Sequence, residues 1–176
     1  MAWRAQRRGG AAGTVELHYY GASGKPTLLC RVGSGRFIDN SDGTVTDTQT
    51  GLIWEKNVAG SGCLHCVDDT YTWNTAMTTW PDRLNGRLTD DLNNAGFAGY
   101  SDWRLPTLAE LRSIVNCSFS SCVDPVFVPS AAFLYWSSTT LANDTSFSWV
   151  VNFGFGFVGS GAKFNDNQVR SVRGGP

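Results

Sequence analysis

Histidine is nearly missing from this chain, with two in 176 residues, and only three lysines and three glutamates accompany them. Scarce histidine removes the commonest general acid and base. His18 and His65 stand in no Ser, His and acid arrangement, and no Gly-rich loop joins a strand to a helix to cradle a phosphate. Few Lys, Glu and Met, set against seven Trp, ten Phe and twenty Gly, leave the chain poor in helix formers and rich in residues of strands and turns. Sheet and loop are therefore expected to outweigh helix. No apolar run approaches the roughly 20 residues of a membrane-spanning helix, so membrane insertion is not expected. The opening MAWRAQRRGG also lacks the apolar centre of a signal peptide. A net charge of -1 with 16% charged and 41% hydrophobic residues excludes both a disordered chain and a generic electrostatic grip on nucleic acid.

The length suits one domain with a tail, and charge divides it. Residues 1–36 carry six basic groups and one acidic, whereas residues 37–176 carry eight basic and fourteen acidic. Residues 1–35, broken by Gly, Ala and Lys-Pro, read as a basic arm or linker with one strand at Val15–Tyr20. A single domain is expected over 36–176.

Within it, RFIDNSDGTVTDTQTGLIWEK predicts three short strands at 36–39, 44–47 and 52–55, parted by Asn-Ser-Asp-Gly and Gln-Thr-Gly turns. TWNTAMTTW places Trp73, Ala76, Met77 and Trp80 on one face of a short helix that ends near Pro81. A second helix opens at Thr107, where Thr107 and Glu110 form a capping box ahead of the apolar stripe Leu108, Leu111, Ile114 and Val115, and should end near Asn116. Trp103 and Leu105 anchor its start, and Arg104 bridges elements by pairing with a carboxylate or carbonyls. Strands return at YWSSTT, SWVVNF and QVRSVRG. Val169 and Val172, three apart, cannot share a face of a regular strand, so a bulge or strand end lies there. Arg170 and Arg173 are expected as strand-edge or sheet-bridging charges. Strands, two helices, then strands describe an α+β domain.

Four of the five cysteines fall in two close pairs, Cys63 with Cys66 in CLHC and Cys117 with Cys122 in NCSFSSC. Local disulfides within each pair are favoured over a zinc site, whose ligands would lie about fifty residues apart, and over a CxxC redox centre, which usually opens a helix. Cys30 is left odd. Such pairs suit an oxidising compartment, extracellular or at the cell surface.

The series RFIDNSDGTVTDTQTGLIWEK, FAGYSDWRLPTLAELRSIV, YWSSTT, SWVVNF and VRSVRGG resembles the C-terminal domain family of bacterial Lcl collagen-like adhesins over about residues 36–175. The resemblance implies a C-type-lectin-like fold, two helices flanking a twisted antiparallel sheet with its N- and C-terminal strands adjacent, distantly similar to the formylglycine-generating enzymes. Those enzymes use a cysteine pair late in the chain. Here no cysteine follows Cys122, so that activity is not carried over and a non-enzymatic, adhesin-like module without cofactor or metal is expected. The best-studied relatives bind sulfated glycosaminoglycans. The domain's acidic balance argues against that ligand unless self-association into a homo-oligomer gathers Arg and Lys from several chains.

The recognition surface is expected in the C-terminal strand and loop region. Phe155, Phe157 and Phe164 there stand among small and polar residues, with Asn143, Asp144, Asn152, Ser160, Lys163, Asn165, Asp166 and Asn167 as further contacts for a glycan or protein. Inward packing of the three Phe as sheet core is the competing reading, and Asn143, Asp144 and Asp166 are alternative weak calcium ligands. A second function class follows from the same segment. Relatives with this fold serve as variable proteins of diversity-generating retroelements, and most of these residue types are reachable by mutating the adenines of AAC or AAT codons.

Overall fold

Gln6–Gly9 (β1), Val15–Tyr20 (β2) and Pro26–Val32 (β3) pair as an antiparallel sheet of order β1-β2-β3. The strand expected at Val15–Tyr20 is present, but it has two partners that the Gly, Ala and Lys-Pro interruptions conceal in the sequence. The computed structural model describes the backbone of these strands and then residues 35–59, 64, 66–73, 92–119, 121–127 and 133–175.

Phe37–Asp39 (β4), Thr44–Asp47 (β5) and Leu52–Glu55 (β6) form consecutive antiparallel hairpins. Turn chemistry sets them. Gly43 closes the first turn at φ +90°, and a side chain there would meet the Phe97 ring at 2.9 Å. In the second, the Asp47 carboxylate accepts from the Gln49 amide (3.0 Å) and the Thr50 hydroxyl (2.7 Å), and Gly51 N–H donates back to the Asp47 carbonyl (2.8 Å). The remaining strands are Tyr71–Thr72 (β7), Leu134–Thr140 (β8), Phe147–Asn152 (β9), Val158–Ala162 (β10), Asp166–Asn167 (β11) and Val172–Gly174 (β12). They make three further ladders, β12-β6-β5-β4, β10-β9-β8 and β11-β7. The domain is thus α+β, mostly antiparallel sheet with short helices, and its strands fall into several sheets rather than the one expected. The RFIDN and VRSVRG segments share a sheet, yet at its opposite edges: β12 adjoins β6, not β4.

The helix at Leu108–Ser113 (α1) begins as its sequence dictates. Thr107 Oγ1 accepts from the Glu110 amide (3.2 Å), and Glu110 Oε2 accepts from the Thr107 amide (2.7 Å). It stops three residues before the expected end. Ile114 leaves helical geometry, and Val115 pairs with Val123 while Asn116 N–H donates to the Cys122 carbonyl (2.8 Å). Closing the Cys117 to Cys122 loop costs the helix its last turn. Trp73 is helical, as expected for the start of the first helix; residues 74–80 of that segment lie outside the described residues.

Both faces of β8 and β9 are buried. Tyr135 and Val151, cross-strand partners, join a cluster with Val45, Trp54, Leu111, Ile114, Phe127 and Val172. Their neighbours Trp136 and Val150 point the other way, into a second cluster with Tyr71, Leu105 and Val169. This resolves the spacing of Val169 and Val172: each fills a different cluster, and β12 starts only at Val172. Arg170 between them is fully buried rather than at a strand edge. Its guanidinium donates to the carbonyls of Glu55 (3.0 Å) and Phe127 (3.3 Å) and lies 5.0 Å from the Phe127 ring centroid.

Three ion pairs tie the periphery to this core. Arg36 forks onto buried Asp47 (2.9 and 2.6 Å) and reaches the Ser113 carbonyl (2.7 Å), joining β4 and β5 to the end of α1. Arg104 forks onto Glu110 (2.8 and 2.7 Å) and touches the Gly174 carbonyl (3.2 Å), the bridge its position suggested. Arg173 pairs with Asp102 (2.6 and 3.1 Å) and lies 3.7 Å over the Tyr100 ring. Burial of Asp47 opposes its ionisation, but hydrogen bonds from Arg36, Thr50 and the Gln49 amide outweigh it and hold the carboxyl below the ordinary range. The same balance, with Arg104 and Thr107 as donors, lowers Glu110.

Groups with depressed folded values stabilise above the ordinary carboxylate pKa of about 4 and lose that contribution as pH falls through the depressed value. Urea unfolding is therefore expected to show stability flat near neutrality and falling below about pH 4. Asp47→Ala should cost about 3 kcal/mol at pH 7, since it leaves Arg36 and the turn donors unpaired, and should shrink the acid-dependent part of the curve.

Candidate recognition surface

The β9–β10 hairpin carries most of the candidate residues, and its turn is built by Asn152. The Asn152 amide donates to the Phe157 carbonyl (2.9 Å), its carbonyl accepts from Gly156 N–H (2.7 Å), and its side-chain oxygen accepts from Phe155 N–H (2.9 Å). Asn152 is buried, so it shapes the turn and is not a surface contact. Phe153 turns inward, its ring 4.8 Å from that of Tyr135. Gly156 sits at φ +72°, and a side chain on it would collide with the Cys117 sulfur. The Cys117–Cys122 disulfide, present as the cysteine spacing predicts, thus lies directly against the turn. Cys66 is also disulfide-bonded; Cys63, its expected partner, lies outside the described residues.

With the backbone held this way, Phe155 and Phe157 have nowhere inward to go: they are 79% and 49% exposed. Two neighbours that sequence reasoning missed stand at the same end. Phe119 is the exposed apolar residue of the disulfide loop. Phe133, 61% exposed, precedes β8, and its carbonyl accepts from Phe153 N–H (3.2 Å). The only sequence signal for Phe119 was an aromatic inside an otherwise polar NCSFSSC loop. Phe133 had none, because its exposure depends on pairing 20 residues downstream.

The other candidates gather at the opposite end of the hairpin. Asn143 and Asp144 occupy the exposed β8–β9 turn, where Asp144 accepts from the Ser146 amide (3.0 Å). Lys163 N–H donates to the Ser146 carbonyl (2.9 Å), which sets this turn beside Lys163, Phe164, Asn165 and Asp166. Phe164 is 80% exposed, and Asn165 and Asp166 are exposed too. Asn167, by contrast, is buried in β11 against Tyr71 of β7. Lys163 is half-buried, its ammonium 3.7 Å over the Trp73 ring centroid and donating to Thr140 Oγ1 (2.9 Å). Ser160 is exposed midway along β10. The register runs from Val158 opposite Val151 to Ala162 opposite Phe147. At about 3.4 Å per residue, the two ends stand on the order of 15 Å apart. The single expected surface is therefore two: a phenylalanine end and a polar end.

A family model, Lcl C-terminal domain, matches residues 43–173. The chain belongs to the Lcl C-terminal domain family. A search of curated proteins finds none that matches it. For this Lcl C-terminal domain the family boundaries enclose both ends of the hairpin, the disulfide loop and strands β5 and β6, and leave out β4 of the same sheet. No helix among the described residues is long and apolar enough to cross a membrane.

Chemically, the phenylalanine end offers the exposed rings of Phe119, Phe133, Phe155 and Phe157, the last two on a pinned backbone. Such an arrangement suits desolvating contacts. Its rigidity is testable through Gly156. Gly156→Ala forces a left-handed residue and a methyl group against the disulfide, and should destabilise by about 2 kcal/mol or more. Combining it with Cys117→Ser and Cys122→Ser should cost less than the sum of the separate losses, because side chains no longer bonded to each other can move away from the added methyl group. Chemical denaturation of the three proteins measures this.

Proposed function

We propose that this domain is a non-enzymatic, adhesin-like recognition module of C-type-lectin-like fold, acting outside the cell, and that it grips a protein ligand through the phenylalanine end of the β9–β10 hairpin. The observation that carries the reading is the exposure of Phe155 and Phe157 on a turn pinned by Asn152 and the Cys117–Cys122 disulfide. Exposed aromatic groups on a rigid backbone bind at low cost in ordering.

A protein is favoured over a sulfated glycan by the state of the cations. Sulfates want free, clustered Arg and Lys. Among the described residues Arg36, Lys56, Arg104 and Arg173 are already paired with carboxylates, Arg170 is buried, Lys163 rests on Trp73, and Arg112, exposed on α1, is a single cation and not a cluster. The diversified-receptor reading draws support from the exposure of Phe155, Phe157, Phe164, Asn165 and Asp166 on a regular ladder. The burial of Asn152, Phe153 and Asn167 counts against it, since buried positions tolerate few substitutions.

The test is a screen of the full chain against extracellular proteins and sulfated glycans at physiological salt, followed by Phe155→Ala and Phe157→Ala. Both substitutions should abolish binding to a protein hit while changing stability by less than about 0.5 kcal/mol. Salt-sensitive binding to sulfated glycans that survives both substitutions would overturn the reading.

A further inference from the structure

The disulfide loop and the β9–β10 turn meet at Gly156. A Cβ there would collide with Cys117 Sγ and come within 3.2 Å of Cys122 Sγ and 3.5 Å of Val115 Cγ1. Gly156 N–H donates to the Asn152 carbonyl (2.7 Å) and Phe155 N–H to the Asn152 side chain (2.9 Å), so the bonds that pin the turn lie beside the two sulfurs. The loop in turn sets Phe119, whose amide donates to the Asn116 carbonyl (3.3 Å) and whose carbonyl accepts from Cys122 N–H (3.1 Å). One covalent bond thus supports both the turn that carries Phe155 and Phe157 and the loop that carries Phe119.

Three features make that bond easy to open. Cys122 holds φ +42°, a left-handed conformation that is unfavourable for a residue with a side chain. The bond joins cysteines only five residues apart, and short loops gain least from closure, so the backbone of Cys122 offsets part of an already small gain. Cys117 is exposed while Cys122 is buried, which leaves the Cys117 side open to an incoming thiolate. Strained or exposed disulfides are the readily reduced ones.

We propose that the Cys117–Cys122 disulfide is a reversible redox latch on the phenylalanine end, opened by a dithiol. As regulation of binding, the latch rests on the reading of that end as the contact surface. A thiolate of the dithiol attacks Cys117 Sγ, the S–S bond breaks, and Cys122 Sγ leaves with the electron pair and takes up a proton. The second thiolate of the dithiol then attacks its partner sulfur in the mixed disulfide. Cys117 Sγ leaves and is protonated, and the reductant departs as its own disulfide. The oxidised dithiol closes the latch by the reverse exchange. Sulfurs released from a shared bond must separate, and Gly156 has no room to offer on its side. The loop therefore withdraws, Cys122 relaxes to an ordinary φ, and the turn loses its support while Phe119 leaves its place. A partner shaped to the closed end loses part of its contact.

The test treats the full chain, without denaturant, with dithiothreitol, alkylates the open thiols for mass spectrometry, and follows hydrogen exchange residue by residue by NMR. Cys117 and Cys122 should be alkylated while the domain stays folded, and oxidised dithiothreitol should restore the bond in unalkylated protein. After reduction the Phe155 and Gly156 amides should exchange about tenfold faster or more, with the Lys163 amide at the far end unchanged. Cys117→Ser with Cys122→Ser should show the fast exchange with and without the dithiol. Cys63→Ser with Cys66→Ser should keep the response of the parent chain, which assigns it to Cys117 and Cys122. Unchanged exchange at Phe155 and Gly156 in the reduced protein overturns the latch, as does a bond that dithiothreitol leaves closed. Protection lost throughout the domain overturns it too, since that marks a structural staple. Should the Cys117 and Cys122 double variant misfold, the Cys63 and Cys66 double variant decides by the same criteria. Exchange is read without a ligand, so its failure overturns the latch and leaves the proposed contact standing, whereas a screen with no protein hit overturns the contact alone.

Discussion

Everything in the domain is arranged around the need to bury β8 and β9 on both faces. An antiparallel sheet can leave one face to water, but here Tyr135 and Val151 demand cover on one side while Trp136 and Val150 demand it on the other. Helix α1 and the β4–β6 hairpins cover the first side. Tyr71, Leu105 and Val169 cover the second. A chain that must serve both sides has to cross between them, and the stretch from Gln168 to Val172 does so, all of it buried. Arg170 sits at the crossing, where its long side chain reaches the carbonyls of Glu55 and Phe127 on neighbouring segments and its guanidinium lies over the Phe127 ring. An apolar residue there would leave those carbonyls without that donor.

Charge serves the frame before it serves any ligand. Arg36, Arg104 and Arg173 each join segments far apart in sequence, and each is forked onto one carboxylate. Their geometry matches the planar guanidinium, and lysine would keep the charge but lose the fork. With most cations of the described residues committed and Arg112 of α1 exposed alone, the apolar groups are the larger means of contact. That is why the exposed phenylalanines carry the functional reading.

Local rules were readable in the sequence wherever the deciding partners were close. Thr107 and Glu110 marked the start of α1, the Asp47 to Gly51 turn set the β5–β6 hairpin, and the five-residue spacing of Cys117 and Cys122 announced their disulfide. Legibility failed where a residue's surroundings come from far along the chain. Arg170 looked like a strand-edge or sheet-bridging charge; it does join β6 to Phe127, but its full burial is recognisable only once Glu55 and Phe127 are seen around it. Asn152 looked like a contact because a polar side chain satisfied by the backbone reads the same as one facing water, and Asn167 because the strand it pairs with, β7, lies almost a hundred residues earlier. The candidate site resembled one patch because its residues are close in sequence, yet a hairpin carries its two ends away from each other. The resemblance led to the expectation that the first and last strands adjoin; they share a sheet, but β12 pairs with β6 and not with β4, a long-range property that no local spacing displays.

The ladder of five residue pairs between the ends of the hairpin also works as an insulator. Substitutions more than about 7–10 Å apart with no shared partner are nearly additive, and the turn around Phe155 shares no contact with the turn around Asn143. Changes at one end are thus free of energetic consequence at the other. A lineage carrying this hairpin can revise its two tips independently, each by its own substitutions, insertions or deletions, and keep the intervening strands as they are.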